Sequence, residues 1–174
     1  MAKLPILIAP DPRLKLKAKP VDKVDAALCR LMDDMLETMY AAPGIGLAAP
    51  QVGVSKRLLV LDVAKPDETP SPLCLVNPQL LWVSDEDNTY EEGCLSVPEQ
   101  YADVIRPARV RLRYVDRDNK PRDLEADGLL ATVVQHEMDH LDGVLFIDHL
   151  TNLKRNMILR KLSKARKAGA GEAL

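Results

Sequence analysis

Aromatic side chains are the scarcest class in this 174-residue chain, at 3%: one Phe, one Trp and four Tyr. A binder of single-stranded nucleic acid built on stacking platforms needs more of them. The core must therefore rest on Leu, Val, Ile, Met and Ala, and DNA is not an expected partner. Long apolar runs are missing as well, so nothing approaches the roughly 20 residues that a bilayer crossing takes. The opening MAKLPILIAP has too short an apolar stretch, and no small-residue cleavage pattern, for a secretion signal. A cytoplasmic protein without membrane contact is the expectation. Cysteine is also sparse, with Cys29, Cys74 and Cys94 unable to pair off completely. Without an export signal they read as reduced thiols, so a special cysteine here is a metal ligand or a nucleophile.

What is present suits a folded body. Hydrophobic residues make up 47% and charged residues 29%, too apolar a mixture for a disordered chain. The length fits one compact domain over residues 1–174, and a monomer is the simplest expectation. The net charge of −2 conceals an asymmetry. From Thr151 onward Lys154, Arg155, Arg160, Lys161, Lys164, Arg166 and Lys167 face one acid, Glu172, whereas the first 150 residues carry 17 bases and 25 acids. An acidic body with a basic tail can meet a polyanion, although a charge run also serves as a solvated helix face.

No internal repeat interrupts the chain. Val24, Leu28, Leu31, Met35 and Met39 recur at spacings of four and three, with Asp33, Asp34 and Glu37 between them. This pattern predicts an amphipathic helix over residues 22–40, stopped by Ala-Pro-Gly. The segment GIGLAAPQVG at 44–53 reads as a loop. Strand-like runs follow at 57–63, 73–76 and 80–84, with a weaker one at 88–91. A further pair at 110–115 and 122–125 flanks the turn Asp118-Asn119-Lys120. Asp127 is placed to cap a second helix through about Leu141, with Gly143 as its stop. A third, basic helix over about 151–167 carries Leu153, Met157, Ile158 and Leu162 on one face. Strands grouped between helices, without alternation, indicate an α+β fold, with mostly antiparallel sheets around the second helix.

That second helix contains Gln135-His136-Glu137-Met138-Asp139-His140. Residues four apart share a helical face, so His136 and His140 can reach one metal ion. Glu137, offset by one position, can address a water on that ion without being a ligand. A hydrolytic metal takes about three protein ligands and one open position. Downstream, Asp142, Asp148 and His149 are available as the third; upstream, Cys94 between Gly93 and Leu95 is the better placed. Cys29 and Cys74 read as small buried apolar residues. Val133, Thr132 and Leu129 lie three, four and seven positions before His136, on its face. They suit a pocket for an unbranched thioether, with Ile45 contributing from the 44–53 segment; for Leu129 a plain core position is an equal alternative.

G-I-G-L-A-A-P-Q at 44–51, E-G-C-L-S at 92–96 and Q-H-E-M-D-H at 135–140 together resemble the three signature motifs of the peptide deformylase family, in its order and approximate spacing. The basic C-terminal helix is similar to that of its bacterial class with a helical C-terminus. The resemblance implies a hydrolase that removes the formyl group from the N-formylmethionine of nascent polypeptides and releases formate. It implies Cys94, His136 and His140 as ligands of one divalent ion, Fe(II) in the cell, replaceable by Zn(II), Ni(II) or Co(II). It also implies Glu137 as general acid and base, with the Gln51 side-chain amide and the Leu95 backbone N–H as donors to the formyl oxygen. Gly44, Gly46 and Gly93 would shape the cleft around the substrate backbone, and the basic tail would meet the ribosome. Two other readings stand beside this one: a general zinc peptidase with a ligand downstream of His140, and an inactive ribosome-attached binding protein.

Overall fold

The computed structural model describes residues 2–172. Helix α1, Ala26–Ala41, begins where the Asp25 side chain accepts the Leu28 N–H at 2.8 Å. The expected start at residue 22 is too early, because Val24 belongs to an extended lead-in whose N–H donates to Asn119. The helix buries Leu28, Met32, Met35 and Met39.

A five-stranded antiparallel sheet comprises β1 (Gly46–Ala48), β2 (Leu58–Leu61), β3 (Leu73–Val83), β6 (Arg109–Val115) and β7 (Pro121–Asp127). These strands lie in the order β1-β2-β3-β6-β7, and β4 (Asp87–Cys94) and β5 (Val97–Pro107) form a separate antiparallel pair. Along β2, side chains alternate between two cores. Leu58 and Val60 join α1, whereas Leu59 and Leu61 join α2 (Gly128–Leu141). The β4–β5 hairpin packs on the short turn Phe146–His149 and on helix α3 (Asn152–Glu172), around Val97, Val104, Phe146, Ile158 and Leu162. Helix α2 thus lies between the main sheet and the hairpin, touching both.

The structure corrects several expectations. The 44–53 segment is not all loop: Gly46–Ala48 pairs with Leu59–Leu61, and Ala49–Val52 forms a 3-10 turn started by Pro50. The runs at 73–76 and 80–84 are one strand, bent where Asn77 adopts a φ of +50° and the register with β6 shifts. The weak run at 88–91 lengthens to eight residues because it pairs with β5, an 11-residue strand that the pattern analysis missed. Its inward positions, Val104 and Arg106, include a charged residue, and that hides the alternation. Asp127 precedes α2 without making a side-chain cap bond. On α3, Ile158 and Leu162 are buried but Leu153 and Met157 are exposed, so the apolar face is narrower than expected. Cys74 is buried as expected, whereas Cys29 is half-buried. Among the described residues, no helix is long and apolar enough to cross a membrane.

Candidate metal centre

Helix α2 carries its polar face inward. His136, Glu137 and His140 are each at most 7% exposed. Cys94, the last residue of β4, reaches them from the hairpin, with Sγ 3.3 Å from His140 Nε2. One ligand atom from each of Cys94, His136 and His140 lies within 4.8 Å of the others. Around a tetrahedral ion with bonds of about 2.0–2.3 Å, ligand atoms stand roughly 3.3–3.8 Å apart; the Cys94–His140 pair already stands at 3.3 Å, so the cluster can close on a divalent metal of that coordination. A thiolate with two imidazoles is also the right chemistry for such an ion. The downstream alternatives are engaged elsewhere. His149 Nε2 lies 2.8 Å from Asp139, Asp142 is 3.0 Å from Arg57, and Asp148 pairs with Lys15.

One of the two imidazoles, that of His136, is held from behind. Glu92 Oε1 lies 2.9 Å from His136 Nδ1, leaving Nε2 to face the other donors. Arg106, itself buried, grips Glu92 with two bonds of 2.7 and 2.9 Å and reaches Asp139 at 2.8 Å. Burial alone would raise the Glu92 carboxyl. The bonds from His136 and Arg106 outweigh it and hold the group ionised, below its usual range. Glu137 has no such partner: burial pushes its carboxyl up to about 7, and Oε2 is buried without a hydrogen bond. A carboxyl with that proton affinity exchanges protons readily near neutral pH.

A cleft of about 720 Å³ opens over these groups. Its lining includes Gly44, Ile45 and Gly46 before and within β1, and Leu129, Thr132 and Val133 from α2. Gly93, Cys94 and Leu95 complete it at the end of the hairpin. Leu129 is 43% exposed, so it belongs to the cleft rim and not to the core. Gly46 has a tighter role than shaping space for a substrate. A Cβ there would approach Glu137 Cγ and Oε1 to 2.8 Å, so the glycine lets the carboxyl lie against the backbone. Gln51 is 1% exposed and lies beneath the lining, its Nε2 3.4 Å from Cys94 Sγ.

Motif reading missed Ile6, Ile8 and Tyr101, which also line the cleft, and the Glu92–Arg106–Asp139 network. Arg106 left a usable signal: it is a charged residue two positions after the inward-facing Val104, and a buried arginine demands carboxylate partners.

The sequence of residues 3–156 matches the family model described as polypeptide deformylase. The chain belongs to the polypeptide deformylase family. A peptide deformylase from Methylocella silvestris is 58% identical over 171 residues, covering 97% of this chain and 87% of that protein. The crystal structure of the peptide deformylase from Ehrlichia chaffeensis superposes with a TM-score of 0.93 at 39% identity, covering 97% of this chain and 99% of the other. The same organism's enzyme in complex with actinonin gives 0.91 at 41% identity, covering 95% and 98%. As a member of this metal-dependent family, the chain is a hydrolase that removes the N-formyl group from formylated nascent polypeptides.

Proposed function

We propose that Cys94, His136 and His140 hold one divalent ion, that Glu137 moves the protons of formyl hydrolysis, and that Gln51 and Leu95 bind the formyl oxygen. The observation that carries this reading is the convergence of one thiol and two imidazoles, with a buried carboxyl beside them that has one oxygen without a hydrogen bond, at the bottom of an open cleft. The donor set suits Fe(II), Zn(II), Co(II) and Ni(II) alike, because affinity alone does not favour iron. The resemblance to the family is what makes Fe(II) the native ion in this reading.

A bound divalent ion supplies the Lewis acidity that brings the pKa of water down towards neutrality. Glu137 accepts the proton of the attacking water at its carboxylate and delivers it to the departing amine nitrogen. As charge grows on the former carbonyl oxygen, the Gln51 Nε2–H and the Leu95 backbone N–H donate to it without reorganising. Ile45, Leu129, Thr132 and Val133 receive the unbranched methionine side chain, with Gly44 and Gly93 leaving room for the peptide backbone. An acetyl group carries a methyl where formyl carries hydrogen, and Gly46 and Leu95 crowd that position. Formyl-Met peptides are therefore substrates, and acetyl-Met peptides are turned over weakly or not at all.

Formate release from a formyl-Met peptide by anaerobically prepared, iron- or nickel-loaded protein is the direct test; equal turnover of the acetyl peptide defeats the substrate reading. Metal content of Cys94→Ser, Cys29→Ser and Cys74→Ser, purified side by side, tests the ligands. Only Cys94→Ser should lose metal, since a neutral hydroxyl replaces a thiolate poorly. Full occupancy in that variant would reject the His-His-Cys set.

We also read α3 as the ribosome contact of a cytoplasmic enzyme. Lys154, Arg160, Lys161, Lys164, Arg166 and Lys167 are exposed there, and phosphate-rich RNA complements them. Cosedimentation with ribosomes that weakens steeply with salt, and is lost when these bases become glutamines, is the expected result.

A further inference from the structure

Gln51 can donate towards a formyl oxygen only if its amide nitrogen, and not its oxygen, faces Cys94. One backbone bond settles that orientation. Gln51 Oε1 accepts the Ala48 N–H at 2.9 Å, and a backbone amide has no acceptor form, so Nε2 must point the other way. There it donates to Ser96 Oγ at 3.0 Å, with Cys94 Sγ at 3.4 Å beside it. Gln51 is 1% exposed and Ser96 0%, so both groups lie out of contact with bulk solvent. The N-terminal segment ties down both backbones: the Leu7 N–H donates to Gln51 O at 2.7 Å and the Ala9 N–H to Ser96 O at 2.8 Å.

We propose that Ser96 is a positioning residue for Gln51, a reading that rests on the donor role given to Gln51 above. An amide nitrogen has two hydrogens. The Ser96 hydroxyl takes one and so fixes the plane of the amide, while the second is donated to Cys94 Sγ at 3.4 Å, at the edge of the cleft that Cys94 lines, where a formyl oxygen can take it over. A donor held in place before charge develops stabilises that charge at no reorganisation cost. Ser96 touches neither substrate nor metal, and its effect passes entirely through Gln51.

A double-mutant cycle on the metal-loaded enzyme tests this. Gln51→Ala should lower kcat by about 10²–10³-fold, the usual loss for one oxyanion donor. Ser96→Ala should lower kcat by about 10-fold with KM within about twofold and metal content unchanged, since the Ala48 bond still orients the amide in part. In the Gln51→Ala background the Ser96 change should add nothing. An equal loss in both backgrounds means a packing role and overturns the proposal, as does an unaffected kcat in Ser96→Ala. Normal activity in Gln51→Ala removes the donor reading itself and the proposal with it. A readout on the unmutated protein stands should Ser96→Ala not fold. In the zinc-loaded, 15N-labelled enzyme, the two Gln51 Nε2 hydrogens should exchange with solvent at least about 10-fold more slowly than a free glutamine amide, as buried bonded hydrogens do. Free exchange and averaged signals for that amide overturn the proposal.

Discussion

Helix α1 turns Leu28, Met32, Met35 and Met39 towards one face of the main sheet, whereas α2, on the other face, buries Thr132, Gln135, His136, Glu137 and His140 beside Ala131, Val134 and Leu141. Both helices are buried to a similar depth, but they are held differently. Apolar side chains need only fit, and their burial itself is favourable. Each polar group on α2 needs a partner, and most of those partners come from other elements. His136 has Glu92 on β4, and Gln135 donates to Pro107 O at the end of β5 and to Ala131 O within α2. Glu137 Oε2 and His140 Nδ1 are left without one. A helix that buries unpartnered polar atoms bears a stability cost that packing elsewhere offsets, and such costs concentrate where chemistry is done.

Substitutions on each side can break this contrast. The largest effect is expected for Glu137→Ala: activity falls about 10²–10⁴-fold, the range for general acid–base groups, while metal content and melting temperature hold. Loss of metal from that variant would make Glu137 a ligand and undo its role. Met35→Ala on α1 should do the reverse. It should cost about 2–5 kcal/mol in urea unfolding, as core truncations to alanine do, with kcat close to that of the parent under native conditions. Should it reduce kcat as much as stability, α1 is not merely packing. Arg106→Lys keeps the charge but loses the fork that grips Glu92. Chelator competition should then show metal affinity about 10–100-fold weaker, the usual cost of disturbing a group behind a metal ligand. Unchanged affinity would separate the network from the metal centre. The smallest effect belongs to Cys74→Ser in the α1-side core, about 1 kcal/mol from burying a hydroxyl beside Arg117, with no change in metal content.

How much was legible follows from the same contrast. α1 was readable because its apolar residues recur at the helical period, and its start was misjudged because Val24, though buried, belongs to the lead-in. On α2 the H-E-x-x-H spacing placed His136 and His140 on one face, since that spacing is a property of one helix alone. The motif around Cys94 named the thiol but not its setting. Strand β5 escaped notice because Arg106 occupies an inward position, where pattern analysis expects an apolar residue. Ser96 lies within the E-G-C-L-S motif, but its bond to Gln51 spans 45 residues, so neighbouring residues carry no sign of it.

By itself, then, the amino-acid order determined the features that depend on neighbours: helical periodicity, turn residues, the paired histidines and the three family motifs. Tertiary structure alone decided which distant groups meet. Cys94 and His140 are 46 positions apart, Glu92 and His136 44, and Arg106 and Asp139 33. Those meetings depend on the register of the β4–β5 hairpin and on how α2 packs between it and the main sheet. A one-residue slip of that register would put Glu92 and Arg106 on opposite faces of the hairpin and break the pair behind His136, because successive side chains on a strand point to opposite faces.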